Sequence, residues 1–170
     1  MALVACSPSS DESAPGTNTS EQTQHLRKIP LVVRHGDGAP DTRLQIEVAL
    51  TPEQQERGLM HRTDLKPGDG MLFPMMPPRT PSFWMKDTPT PLDVVFVGTD
   101  GEIEQVVARA KPNDKTPLFV DVPVSGVFEL RGGDAKAFGI SEGDIVNWGD
   151  CSSPSHPAVA LDQLNFCPGR

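Results

Sequence analysis

The sequence predicts a mainly β (β-rich α+β) fold, a small closed or partly open barrel or sandwich of about eight short strands with one or two short helices. Three observations carry that expectation. Short β-branched or aliphatic runs recur along the chain, turn residues separate them, and no helical stretch reaches three turns. Leu44, Ile46, Val48 and Leu50 alternate with Gln45, Glu47 and Ala49, the period-two pattern of a half-buried strand.

Strands are expected at 29–35, 43–50, 70–75, 82–86, 92–98, 102–108, 122–130 and 145–148. Thr99-Asp100-Gly101 joins two of them as a hairpin turn. Thr51-Pro52-Glu53-Gln54 reads as a helix start, with Thr51 as cap, Pro52 in the first turn and Gln54 completing a capping box. Gly58 is expected to end that helix in a left-handed conformation. Residues 52–57 have no apolar face, so Leu59 and Met60 must dock the helix. A second short helix is expected over 134–138, closed by Gly139.

The chain has 170 residues, with 15 Lys plus Arg against 23 Asp plus Glu, and 33 of its residues are Gly or Pro. The formal net charge of −8 argues against a nucleic-acid partner, which needs a cationic footprint. Residues 1–28 carry little of that charge: beyond them stand 13 basic and 20 acidic side chains, so the acidity belongs to the body. Residues 7–25 contain no Val, Ile, Leu or aromatic side chain, a composition expected to remain disordered. Directly before them, Leu3-Val4-Ala5-Cys6 resembles a bacterial lipobox, although Met1 to Ala5 supplies neither the basic nor the apolar region of a signal peptide. The division that follows is a lipobox remnant and tether (1–28), one β-rich domain (29–151) and a Pro/Ser-rich tail (152–170). That places the protein in the cell envelope, on the periplasmic side, lipid-anchored to the membrane through Cys6 or secreted. Cys151 and Cys167 would form a disulfide in that compartment and remain two thiols in a reducing one.

Several separated motifs occur in order: Arg57-Gly58-Leu59-Met60-His61-Arg62, Gly70-Met71-Leu72-Phe73, Phe83-Trp84-Met85-Lys86-Asp87-Thr88 and Pro91-Leu92-Asp93. Asp100-Gly101, a strand ending at Glu129, Gly132 and Gly143-Asp144 follow them. From about Leu44 to about Trp148 the chain is similar to the domain of unknown function 192 family. The resemblance implies a compact, mostly β fold and no established reaction.

The residues also define candidate sites. Trp84 points away from Phe83 and Met85 on a strand, so it packs on a second layer or stands at a pocket mouth. Arg57 and Arg62 against Asp93 and Glu129 form either a fold-locking ion network or, with Trp84 and Lys86, a pocket for a polar ligand. Such an inventory suits a glycan or peptidoglycan fragment held by an exported binding or accessory module, rather than an enzyme. No cofactor motif is present.

Two alternatives remain. Met60, His61, Met75, Met76 and Met85 match the soft donors of a periplasmic Cu(I) module, or they fill core gaps. Asp93 and Glu129 are the carboxylate pair that a glycoside hydrolase needs, provided they share a cleft. Neither His35 nor His61 has an evident partner in the sequence.

Overall fold

The computed structural model describes residues 26–153 and 162–168. The expected lipobox at Cys6, its spacer and residues 154–161 of the tail lie outside the described residues. Seven strands form one sheet: β1 (Lys28–Arg34), β2 (Thr42–Val48), β3 (Gly70–Arg79), β4 (Leu92–Gly98), β5 (Ile103–Ala110), β6 (Val124–Arg131) and β7 (Ile145–Trp148). Two short helices accompany them, α1 (Pro52–Arg57) and α2 (Asp134–Ala137).

The strand order is β5-β4-β6-β3-β2-β1-β7. All neighbours are antiparallel except β2 and β3, whose parallel contact is two residue pairs deep. The sheet curls into a half-barrel whose edges meet at one end through a bridge between Glu102 and Ile145. There the Ile103 amide donates to the Asp144 carbonyl and the Val146 amide to the Gly101 carbonyl, each at 2.8 Å.

Residues 82–86, expected as a strand, form none. Phe83 makes a single isolated bridge to Leu118, outside the seven-stranded sheet. Pro77, Pro78, Pro81, Pro89 and Pro91 surround this segment, and a proline offers no ladder donor. Its side chains nevertheless alternate, with Met85 buried and Trp84 exposed.

Successive strand residues point to opposite faces, and here both faces are covered. The inner face packs Leu31, Ile46, Leu72, Phe128 and Trp148 around α2. The outer face packs Met71, Phe73, Val94, Phe96 and Val127 under Leu59 and Met85. Its cover consists of three connections, residues 49–69, 80–91 and 111–123. The last two are laced together by backbone bonds from Met85 to Asp114 and from Asn113 to Thr88.

The helix α1 carries the expected capping box, and none of its residues is buried. It is held instead by Leu59, which is buried, and by Gln55, whose amide donates to the carbonyls of Ala49 and Pro74. Gly58 has φ 48° and ψ −130°, not the left-handed helical cap expected. Its Cα lies against the Phe73 ring, where an added Cβ would come within 3.3 Å of the ring.

Cys151 and Cys167 are joined as a disulfide, with Cα atoms 5.1 Å apart. The bond holds residues 162–168 against β7, where the Phe166 ring stacks on Trp148 at 4.3 Å. Closing a loop of this length is worth about 3 kcal/mol by chain-entropy arguments. His35 has partners after all: its Nδ1 lies 3.0 Å from Asp144 and its Nε2 lies 2.9 Å from the Thr42 hydroxyl. The order Thr-His-Asp is that of a catalytic triad, but Thr42 donates its hydrogen to the Phe138 carbonyl. With that proton committed, the cluster staples the β1–β2 hairpin to the turn before β7.

Asp93 is fully buried on β4. Its carboxylate accepts from the amides of Arg109, Gly133 and Ala135 at 2.7–2.8 Å, tying β5 and the start of α2 to the sheet. Asp93→Ala leaves three backbone amides without their acceptor, two of these bonds part-buried and one buried, and a buried donor left unsatisfied costs about 1–3 kcal/mol. Urea unfolding is expected to show a loss of about 3 kcal/mol or more; a change below about 1 kcal/mol would exclude this anchoring role.

Candidate functional site

The outer-face cover does not close completely. Between α1, β3 and the 80–88 segment it leaves a cavity of about 380 Å³. Leu59, Phe73, Met75 and Phe83 supply apolar walls. Phe73 and Phe83 meet edge to face, with ring centroids 5.1 Å apart. Trp84 also lines the cavity and is 49% exposed. The pocket-mouth alternative for Trp84 is therefore the one observed.

Glu129 lines the same cavity, yet the residue is only 5% exposed. It reaches the outer face because β6 pairs it with Val94, whose side chain points that way. Among the described residues no hydrogen bond or ion pair reaches its carboxyl. Burial without compensation pushes its pKa from 4.5 up to about 8, so the group is predominantly protonated at neutral pH.

The remaining charged candidates are distributed differently. Arg57 lines the cavity. Arg62 does not: it is buried beside Glu47 at 3.4 Å and Asp64 at 2.8 Å, and its carbonyl accepts from Thr90. It belongs to a fold-locking ion network. Lys86 lies over the Trp84 ring, 5.6 Å from the centroid, and 3.8 Å from Asp87.

Asp93 is paired across the sheet with Leu130, one residue out of step with Glu129. The pleat therefore sends the two carboxyls to opposite faces, and they cannot flank one glycosidic bond. The hydrolase pair is excluded by register.

The sulfur set does not converge either. Met60 and Met75 line the cavity, Met85 is in the core, and Met76 faces a separate cavity of about 140 Å³ beside Trp148. His61 is exposed. The Met75 sulfur accepts from the Arg79 guanidinium at 3.1 Å, placing a cation where copper would have to bind. Among the described residues no group of three His, Cys, Asp or Glu side chains could hold a metal ion.

Sequence reasoning missed Gln55, Phe73, Arg79 and Phe83 as cavity residues. Arg79 donates to Gln55 Oε1 at 3.1 Å, which fixes it across the mouth. The signal for Phe83 was available in its neighbour Trp84. Arg79 stands after five residues of Met and Pro and carried none.

The DUF192 family model, described as "Uncharacterized ACR", matches residues 32–148. The chain belongs to the DUF192 family. The matched span contains every residue of the cavity described above. A search of curated proteins finds no match. Among solved structures, a protein of unknown function from Novosphingobium aromaticivorans is 40% identical, over 72% of this chain and 86% of that one, with a TM-score of 0.68. A Sinorhizobium meliloti protein proposed to be a transcription regulator is 33% identical, over 75% of this chain and 98% of that one, with a TM-score of 0.70.

The raised pKa sets a pH dependence. Between pH 4.5 and about 8 the folded protein retains a proton on Glu129 that the unfolded chain releases. Stability due to this group is therefore greatest below that window and is lost as pH rises through it. Glu129→Gln removes the titration and keeps the shape. Denaturation between pH 5 and 8.5 is expected to show the variant losing less stability than the parent, by an amount on the order of a few kcal/mol. Parallel curves for the two proteins would contradict the assignment.

Proposed function

We propose that this chain is an exported binding module, tethered to the envelope through Cys6, whose outer-face cavity holds a small polar ligand such as a peptidoglycan or glycan fragment. The observation that carries the reading is Glu129, a buried carboxyl on the cavity wall with no partner among the described residues. A buried polar group without partners is costly in a structural role, whereas a bound ligand supplies the missing contacts. The cavity volume is that of a small-molecule site. An exposed tryptophan at its mouth offers a stacking surface.

The disulfide between Cys151 and Cys167 suits an oxidising compartment and so supports export. The regulatory role suggested for the Sinorhizobium meliloti protein is not carried over, because a net charge of −8 opposes approach to DNA phosphates.

Trp84 and Trp148 are the two tryptophans, and Trp148 is buried away from this cavity. Titration with soluble muropeptides is expected to change the indole emission saturably. Trp84→Phe should abolish the change, while Trp148→Phe should preserve it. Emission that does not respond to any fragment, or a response retained in Trp84→Phe, would sink the reading.

A further inference from the structure

Three features share the cavity. One wall carries the carboxyl of Glu129, which no hydrogen bond or ion pair reaches among the described residues. Leu59, Phe73, Met75 and Phe83 make an apolar stretch. At the surface is Arg79, an exposed guanidinium. Arg79 reaches Met75 Sδ and Gln55 Oε1, both neutral, and no carboxylate pairs with it among the described residues.

We propose that the cavity binds a small zwitterion whose ammonium, carried on an apolar stem, reaches Glu129 while its carboxylate meets Arg79. The inference rests on the ligand-binding reading above and narrows it: of the constituents of peptidoglycan, it selects the diamino acid of the peptide stem over the sugar.

The chemistry of the walls separates the two. A sugar carries hydroxyls around its ring, and those turned toward Leu59, Phe73, Met75 and Phe83 would find no partners, which selects against it there. A methylene stem needs no partners and gains from the same walls. Aromatic rings attract cations, and Trp84 already does so for Lys86, whose ammonium lies 5.6 Å from the ring centroid. A carboxyl on the wall of an aromatic-lined cavity is thus complementary to an ammonium, and the fork of an arginine is complementary to a carboxylate.

Charge balance gives a signature that a neutral ligand lacks. Glu129 enters the encounter protonated, the ligand ammonium favours the carboxylate form, and the displaced proton leaves to solvent. A sugar hydroxyl would bind the protonated acid and release nothing.

The test is calorimetry on the full chain at pH 7 in phosphate and in Tris, with Trp84 emission read in parallel. The probes are Nα-acetyl-lysine, its Nα,Nε-diacetyl analogue and N-acetylglucosamine. The first is expected to bind at least about tenfold more tightly than the second and to release about one proton, seen as a buffer-dependent enthalpy. Glu129→Gln should abolish both the preference and the proton release, with unchanged near-ultraviolet dichroism of Trp148 reporting an intact fold. Arg79→Gln should weaken binding and leave the proton count unchanged. Equal binding of the two lysine derivatives, or binding without proton release, overturns the proposal. If N-acetylglucosamine alone binds, the ligand pocket stands and the zwitterion falls. If no probe alters Trp84 emission, both fall.

Discussion

A strand covered on both faces keeps its side chains from bulk water, and Glu129 stands in such a strand with only the cavity wall to open onto. Seven of the eight residues of β6 are buried, Val127 and Glu129 toward the outer face and Phe128 and Leu130 toward the inner. The fold tolerates a carboxyl there because the outer cover is incomplete and because the group keeps its proton. The cavity is consequently not an accidental gap in a surface. It lies where α1 and the 80–88 segment stop short of closing over β3, beside an ionisable group whose position the sheet register dictates.

Two buried carboxyls on adjacent strands, Asp93 and Glu129, show how environment separates roles. Asp93 faces inward and accepts three backbone amides, so its negative charge is matched and it fastens β5 and α2 to the sheet. Glu129, one step out of register with it, faces outward and has no donor among the described residues. Similar chemistry yields an anchor in one case and an uncompensated carboxyl on a cavity wall in the other, and the difference is which face of the pleat each side chain occupies.

Much of the architecture was legible in local patterns. Period-two alternation located β2, the Thr51–Gln54 box located α1, and Asp100-Gly101 located the turn between β4 and β5. What failed at 82–86 was the inference from alternation to a ladder, since alternating burial needs only two environments while a strand needs partners for its backbone. The site was half legible. Trp84, Arg57, Met60, Met75 and Glu129 line the cavity, whereas Arg62 and Asp93 lock the fold. No local pattern could separate these groups, because pairing across 15 residues (Glu47 with Arg62) or 42 residues (Asp93 with Ala135) is decided by topology. Arg79 was invisible for the same reason: its place at the cavity mouth depends on Gln55, 24 residues earlier.

One protonation state, that of Glu129, separates a compensated carboxyl from an uncompensated one, and carbon-13 spectroscopy of the free protein reads it directly. With glutamate labelled at the side-chain carboxyl carbon, and Glu129→Gln used to assign the resonance, Glu129 is expected to titrate with a midpoint near 8 and to remain protonated at pH 7. A midpoint close to the ordinary glutamate value of 4.5 would mean that the carboxyl is already compensated, and would contradict the central claim.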